Sequence, residues 1–148
     1  MPFSVGCDLV AIARFVCWTA YSPARLATLY SPYECNRIAH LQQLITPSAP
    51  QEITQYLATR FAAKEAFYKA LSQWLQFHGL TATTFSLRAC APLVSVESVG
   101  IWQLPTLIID LPSLERLAGT TLPPFTAHVS LAHERTHALA YVALTGNP

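Results

Sequence analysis

The segment between a proline-rich loop and a glycine constrains the fold of this chain more than any other part of it. The loop is TPSAP at residues 46–50, and the glycine is Gly79, a typical C-terminal signal for a helix. The residues between them are mostly good helix formers, and large apolar side chains recur there at helical spacing: Phe67, Leu71, Trp74 and Leu75. The pattern predicts one long helix over residues 51–77.

Shorter elements of both kinds surround this helix. Before it, we predict a buried strand over residues 4–12, a helical stretch over residues 13–29 that breaks at Ser22-Pro23, and a helix over residues 33–44 with Ser31 as its N-cap. After it come β-like segments at residues 84–90, 93–99 and 107–110, a short helix at 113–117, and a hairpin of strands 127–132 and 138–144. Because helices and strands mix without regular βαβ alternation, the sequence predicts a single α+β domain over residues 1–148.

Charged residues are scarce in this chain. They make up 11% of it, against about 25% in a typical soluble domain, while hydrophobic residues make up 52%. A surface this poor in charge tends to self-associate, which favours a homo-oligomer. The formal net charge of +1 gives no overall electrostatic signal for binding to nucleic acid or to an anionic membrane.

The cysteines and the apolar runs indicate a cytoplasmic protein. The four cysteines have no CxxC spacing, which argues against a structural zinc site or a disulfide framework and favours a reducing compartment. The N-terminal sequence MPFSVGCDLV lacks the pattern of a secretory signal, and each apolar run stops short of the roughly 18 residues that a membrane span needs. We therefore expect a soluble cytoplasmic protein with no membrane partner.

One acidic residue of the long helix lies on an otherwise apolar stripe. Glu65 shares its side of the helix with Leu57, Phe61 and Tyr68, because these positions are three or four residues apart. A carboxylate in such surroundings needs a cation or hydrogen-bond donors to offset its desolvation. A surface ion pair with Lys69, four residues later, would be enough and would imply no function. A role in binding a ligand is the alternative.

Asp8 poses the same question in the first strand, where an acidic residue among apolar ones is unusual. By itself it could cap the strand end or face solvent. Together with Glu65 it indicates a site for a hard cation, since Mg²⁺ is usually held by one or two carboxylates, with substrate phosphates and waters completing its coordination. Three basic residues around Glu65 suit a phosphorylated substrate: Arg60, Lys64 and Lys69.

The C-terminal hairpin contains three histidines, His128, His133 and His137. Their spacing on a strand and turn matches neither HExxH nor a zinc-finger motif, which argues against zinc. The remaining interpretations are structural histidines, or a contact from at least one of them to a phosphate or nucleotide.

Three motifs, in this order, resemble those of the holo-(acyl-carrier-protein) synthase family of 4′-phosphopantetheinyl transferases. The family opens with a strand of the form G-x-D-(I/L)-V, matched by GCDLV at residues 6–10, and its central helix carries R-(F/W)-A-A-K-E-A-x-x-K-A, matched by RFAAKEAFYKA at residues 60–70. Its C-terminal strand reads H-V-S-(I/L)-(S/T)-H, matched by HVSLAH at residues 128–133 except at Ala132. The resemblance implies that the family's α+β fold spans the chain and that it forms a homotrimer with active sites shared between neighbouring subunits.

The resemblance also implies roles for individual residues. Asp8 and Glu65 fall at the positions of the family's magnesium ligands. The three basic residues of the central motif, Arg60, Lys64 and Lys69, would face the phosphates of coenzyme A.

Other implied residues lie outside the central helix. His133 would lie near the nucleotide end of coenzyme A. Arg14 would lie on a helix that meets the acidic acyl carrier protein, and Arg25 would extend that basic surface.

The implied reaction moves 4′-phosphopantetheine from coenzyme A to a serine of an apo-acyl carrier protein and releases adenosine 3′,5′-bisphosphate, as in fatty acid biosynthesis. Such transfers depend mainly on positioning and charge neutralisation. Lys69 would offset negative charge, and Glu65 would relay the proton of the serine, with Glu34 as a second candidate.

One departure from the family favours a different function. The glycine-rich loop that usually follows the central helix is absent, because SQW at residues 72–74 continues the helix instead. The alternative is therefore a module that keeps the fold and binds the carrier or coenzyme A without catalysis.

Overall fold

The computed structural model describes residues 2–81 and 85–146. Its strands are β1 (Phe3–Ala11), β2 (Val94–Val99), β3 (Leu104–Ile109), β4 (Phe125–His133) and β5 (His137–Gly146). Its α-helices are α1 (Pro23–Leu26), α2 (Pro32–Gln42), α3 (Ala49–Phe77), α4 (Leu87–Cys90) and α5 (Leu111–Ala118), and it has two 3₁₀ helices, Ile12–Ala20 and Ala91–Leu93. The predicted α+β class is confirmed.

β1, β5 and β4 form an antiparallel sheet with β5 in the centre. Residues on β5 alternate between the two faces of this sheet: Ala138, Ala140, Val142 and Leu144 are fully buried, whereas the residues between them are partly or largely exposed. Ala140 is paired with Asp8 on β1 and with Leu131 on β4, so these three residues lie in one row across the sheet. The alternation arises because successive side chains of a strand point to opposite faces.

The long helix α3 covers the buried face of this sheet, and small residues allow it to approach closely. Ala66 and Ala70 of α3 are fully buried. A Cβ atom built on Gly6 of β1 would lie only 1.9 Å from the carbonyl oxygen of Ala66. The Ser4 hydroxyl donates a hydrogen bond to the carbonyl of Ala70 at 2.8 Å. The backbone of α3 therefore rests almost directly on the backbone of β1.

Despite its length, α3 carries too many polar residues for a membrane segment. No helix in the part of the chain that the structure describes is long and apolar enough to span a bilayer.

The remaining two strands form a second sheet. β2 and β3 pair antiparallel from Val94↔Ile109 to Val99↔Leu104. The turn between them contains Gly100 and Gln103, both with positive φ. This hairpin packs against α2 and α3 through β2, and against β4 through β3.

On the outer face of the three-stranded sheet, β1 and β5 present large apolar side chains that are uncovered in the single subunit, whereas β4 presents polar residues such as His128 and Ser130. Four large side chains are well exposed there: Phe3 (69%), Leu9 (62%), Tyr141 (47%) and Leu139 (39%). Several large apolar side chains exposed on neighbouring strands are typical of an interaction site.

Two element predictions differ from the structure. Residues 87–90 of the predicted strand 84–90 form helix α4 instead, because the Ser86 side chain caps it by accepting a hydrogen bond from the amide of Ala89 at 3.2 Å. The start of that segment, Thr84, lies outside the described residues. The first half of the predicted helix 13–29 is a 3₁₀ helix, in which the Thr19 hydroxyl donates to the carbonyl three residues earlier at 2.8 Å. The predicted break at Ser22-Pro23 is confirmed.

Candidate active site

The contact between β1 and α3 brings Asp8 and Lys69 together. Asp8 is nearly buried, with 9% of its side chain exposed, whereas Lys69 is 48% exposed. The Lys69 ammonium donates to Asp8 Oδ1 at 2.7 Å and to the carbonyl of Cys7 at 3.0 Å. The hydrogen bond to Asp8 raises the pKa of Lys69, so the ammonium is fully charged at neutral pH. Lys69 thus presents a positive charge to solvent directly beside the Asp8 carboxylate.

Glu65 lies next to Asp8 and completes an acidic pair. Burial raises the pKa of Glu65, and the hydrogen bond and charge of Asp8 raise it further, while Lys69 and Arg14 lower it. Two neighbouring carboxyl groups that compete for negative charge behave in this way. The ion pair between Glu65 and Lys69 that the helical spacing allows is replaced by the one between Asp8 and Lys69.

The acidic pair suits a divalent cation. Asp8 Oδ2 is buried and accepts no hydrogen bond, and the neighbouring Glu65 can supply one only when it is protonated. No cluster of three or more histidine, cysteine or acidic side chains able to hold a metal occurs within residues 2–81 and 85–146. Two carboxylates are nevertheless a sufficient protein contribution for Mg²⁺, because substrate phosphates and waters supply its other ligands.

A cleft of about 420 Å³ lies between α2, α3, the hairpin and the end of β4. We call it the basic cleft, because two arginines and a histidine line it against one acidic residue, Glu52. Arg60 and His133 both line it, so the structure brings together two residues predicted to contact coenzyme A. The guanidinium of Arg60 lies 4.4 Å from the ring centroid of Tyr56 and donates to the Thr59 hydroxyl at 3.2 Å. Its Nε is buried without a hydrogen-bond partner. Arg60 therefore retains donor capacity for a ligand.

Arg37 also lines this cleft, and the sequence analysis missed it. It lies on α2 between Glu34 and Leu41, and those two positions are buried. The spacing of three and four residues between them places Arg37 near the inward side of α2, and this signal could have identified it.

Lys64 and Glu34 occupy positions different from those predicted. Lys64 is fully buried and forms an ion pair of 2.7 Å with Glu34, which is also fully buried. The Lys64 ammonium further donates to the carbonyls of Ala91 and Val94. An ammonium with all three protons donated inside the protein does not face the phosphates of a ligand, and a fully buried Glu34 does not reach the proton of a substrate serine.

Arg14 and Arg25 are both exposed. Arg14 lies on the first 3₁₀ helix, close enough to Glu65 to lower its pKa. Arg25 stacks over the ring of Tyr21 at 3.6 Å and lines a separate cleft of about 570 Å³ that also contains Arg88. Their role in carrier binding stays a prediction.

The three histidines of the C-terminal hairpin do not converge on one point. His133 pairs with Ala138, which faces α3, whereas His128 pairs with Ala143 on the opposite face. His137 lies 3.9 Å from Glu134 and hydrogen-bonds the Thr136 hydroxyl at 2.9 Å. His128 and His133 therefore lie on opposite faces of the hairpin, which does not suit a shared zinc site.

Comparison with known proteins defines the class of this fold and site. The family model described as the 4′-phosphopantetheinyl transferase superfamily matches residues 4–100, which include the acidic pair, Lys69 and Arg60. The chain therefore belongs to that superfamily. The holo-(acyl-carrier-protein) synthase of Treponema pallidum (strain Nichols) is 33% identical over 148 residues, 100% of this chain and 99% of that protein. The synthase of Alkalilimnicola ehrlichii is 32% identical over 145 residues, 97% of each chain.

Comparison with solved structures leads to the same family. A complex of ACPS with CoA from Chronobacterium ammoniagenes superposes with a TM-score of 0.72 at 25% identity, covering 100% of both chains. The holo-(acyl-carrier-protein) synthase of Bacillus anthracis, solved in complex with CoA (3′,5′-ADP), shares the fold with a TM-score of 0.64 at 21% identity, covering 97% of this chain and 96% of that one. Within the superfamily, the chain belongs to the holo-(acyl-carrier-protein) synthase family of enzymes.

Proposed function

We propose that this enzyme transfers 4′-phosphopantetheine from coenzyme A to a serine of an apo-acyl carrier protein, requires Mg²⁺ and releases adenosine 3′,5′-bisphosphate. The observation that carries the proposal is the acidic pair of Asp8 and Glu65, with the charged Lys69 beside it. The relatives are named holo-(acyl-carrier-protein) synthases, and two similar structures are described as complexes with CoA or with CoA (3′,5′-ADP).

Asp8 and Glu65 are the residues that would hold the metal. When bound there, Mg²⁺ would neutralise charge on the pyrophosphate of coenzyme A and orient it for displacement. The orphaned Asp8 Oδ2 supports this assignment, because a buried carboxylate oxygen without a donor is costly unless a cation balances it.

Lys69, Arg60 and His133 would bind the donor. Lys69 is held in place by Asp8 yet half exposed, so its remaining proton can contact a phosphate. Arg60 and His133 lie in a cleft of sufficient size for part of a nucleotide, and a guanidinium suits bidentate phosphate binding. Positioning of this kind supplies most of the rate enhancement in phosphoryl transfer.

Glu65 would accept the proton of the carrier's serine. The serine oxygen forms a bond to the β-phosphorus, the bond from that phosphorus to the oxygen bridging the α-phosphate breaks, and the proton moves to the Glu65 carboxylate. Glu65 is suited to this role by its position beside Asp8 and the half-exposed Lys69, where the phosphate of the donor would bind.

The carrier would bind at the surface that contains Arg14 and Arg25. The segment from Ile12 to Leu29 contains no aspartate or glutamate, so nothing acidic within it offsets these two exposed arginines. Complementary charge of this kind directs an acidic partner to the surface and sets its orientation.

The enzyme would act as a homotrimer of single-domain subunits with shared active sites. The exposed apolar side chains on the outer face of the β1-β5-β4 sheet support assembly, because they would otherwise contact water. The low content of charged residues, 11%, agrees with a surface partly covered by other subunits.

The experiment that tests this function is mass spectrometry of an apo-acyl carrier protein after incubation with the enzyme, coenzyme A and MgCl₂. We expect the carrier to gain one phosphopantetheine, and the gain to disappear with EDTA and in the Asp8→Asn and Glu65→Gln variants. Asp110→Asn is a matched control, because Asp110 is exposed, caps α5 outside the site, and asparagine caps equally well.

Two outcomes would contradict the proposal. Full transfer by the double variant that combines Asp8→Asn and Glu65→Gln would refute the metal site. No transfer by the folded wild-type enzyme, despite measurable binding of coenzyme A, would favour the alternative of a binding module, which the uninterrupted course of α3 through residues 72–74 suggests.

A further inference from the structure

We propose that the buried ion pair of Lys64 and Glu34 is a positioning element that fixes the β2–β3 hairpin as one wall of the basic cleft. The expected effect on activity rests on the proposed function, whereas the expected effect on the position of the hairpin does not. Both side chains have no exposed surface, and their charged atoms are 2.7 Å apart.

The Lys64 ammonium links three elements. Besides Glu34 on α2, it bonds the carbonyl of Ala91 at 2.7 Å and the carbonyl of Val94 at the start of β2. Burial lowers the pKa of Lys64, and the carboxylate of Glu34 counteracts this. One ammonium proton therefore connects α3 to α2, and the other two connect α3 to the segment that leads into the hairpin.

The Glu34 carboxylate holds the same strand at a second point. Its Oε1 accepts a hydrogen bond from the amide of Val96 at 3.1 Å, and its Oε2 accepts one from the amide of Ser31 at 2.9 Å. The Ser31 hydroxyl in turn donates to the Ser95 hydroxyl at 2.9 Å. Three consecutive residues of β2 are thus bound by this network.

The position of β2 matters because, among the described residues, β2 and β3 pair only with each other. Two residues beyond Val96, the strand carries Ser98, which pairs with Pro105 across the hairpin. Ser98 and Pro105 line the basic cleft opposite α3, and Arg60 lies one helical turn before Lys64. The ion pair therefore sets the distance between Arg60 and the opposing wall.

A buried ion pair usually adds little to the stability of a protein compared with apolar side chains of similar size. Replacing a buried pair by apolar side chains of similar size is often neutral or stabilising, because the desolvation of two charges offsets their attraction. A directional pair that also bonds Val94 and Val96 is explained by the need for one defined hairpin position.

The test compares three variants: Lys64→Met, Glu34→Gln, and the two together. The double variant leaves no uncompensated charge and keeps an acceptor for Val96, so we expect it to melt closer to the wild type than either single variant. Thr54→Ala is the control, because Thr54 is a buried polar residue of α3 whose hydroxyl bonds only within its own helix, to the carbonyl of Pro50 at 2.7 Å.

Two readouts separate positioning from stability. Hydrogen exchange of the amides in Val94–Val99 should become faster in the double variant while exchange in the β1-β5-β4 sheet stays unchanged. In the transfer assay, kcat/KM for coenzyme A should fall on the order of 100-fold, mainly through KM, because the cleft binds the donor away from the reacting atoms. The control should change neither.

The inference is overturned if the double variant shows wild-type exchange in β2, or faster exchange together with wild-type KM. If the wild-type enzyme itself transfers nothing, the proposed function fails, and the exchange measurement together with coenzyme A binding by calorimetry still decides the role of the ion pair.

Discussion

Replacement of Gly6 by alanine should separate β1 from α3. The added Cβ would lie 1.9 Å from the Ala66 oxygen, 2.8 Å from the Ala70 nitrogen and 2.9 Å from the Ala66 carbonyl carbon. All three are backbone atoms in the middle of a 29-residue helix, so no side chain can rotate away. Restoring ordinary contact at 3.4 Å requires a local shift of about 1.5 Å, the difference between 3.4 Å and 1.9 Å.

The shift would act directly on the proposed metal site. Asp8 lies two residues after Gly6 and faces the same side of β1, and its 2.7 Å contact with Lys69 would exceed hydrogen-bonding distance. Overpacking of this kind costs about 1–3 kcal/mol. For a chain of this length, that lowers the melting temperature by roughly 2–12 °C. A displacement above 1 Å at the reacting groups should reduce transfer by about 100-fold.

Gly146→Ala is the matched control for this prediction. A Cβ there meets atoms of Pro2 at 3.0 and 3.3 Å and a ring atom of Trp74 at 3.3 Å, all of them in side chains. We expect little loss of stability or activity. Melting is followed by circular dichroism at one protein concentration, and transfer by mass spectrometry. Wild-type melting and wild-type transfer in Gly6→Ala would refute the close-packing argument.

Three further predictions concern the site and the sheet. Because the folded protein raises the pKa of Glu65, its contribution to stability is complete below the ordinary value of 4.5 and is lost as pH rises through the raised pKa. Glu65→Gln should therefore remove that part of the pH dependence in melts of the metal-free protein, and an unchanged profile would contradict the assigned cause. Lys69→Met should cost at most about 1 kcal/mol of stability, since Lys69 is half exposed, yet reduce transfer by about 100-fold or more; equal losses of fold and activity would argue against a direct role. Leu9→Glu should prevent formation of the proposed trimer in sedimentation velocity while circular dichroism stays unchanged, and a wild-type trimer that persists in the variant would exclude the outer sheet face as the interface.

The acidic site could be predicted because its signals are local. An aspartate in an apolar strand and a glutamate on an apolar helix stripe are both visible in the sequence, and the structure places Asp8 and Glu65 side by side. The helical spacing also predicts that Glu65 and Lys69 share one side of α3. The spacing does not identify the ion-pair partner of Lys69. That partner is Asp8, which is 61 residues away in the chain.

The position of Lys64 could not be predicted in the same way. Its partner Glu34 is on another helix, and its remaining acceptors are backbone carbonyls of Ala91 and Val94, which no residue pattern marks. Sequence alone therefore gave Lys64 the same role as Arg60 and Lys69. Helix α4 was missed for a related reason, because a four-residue helix capped by Ser86 is too short to show a period.

The angular positions of the basic side chains around α3 explain why this one helix contributes to both the basic cleft and the acidic pair. At about 100° per residue, Lys64 lies only about 40° from Arg60, and both face α2 and the hairpin. Lys69 lies about 40° from Glu65 by the same reasoning, and both face Asp8 on β1. Rotation or translation of α3 would therefore disturb the cleft and the acidic pair together. The tight contact at Gly6 restrains the helix against β1, so its loss should affect both coenzyme A binding and the chemical step, whereas loss of the buried ion pair of Lys64 should act mainly on coenzyme A binding through the hairpin.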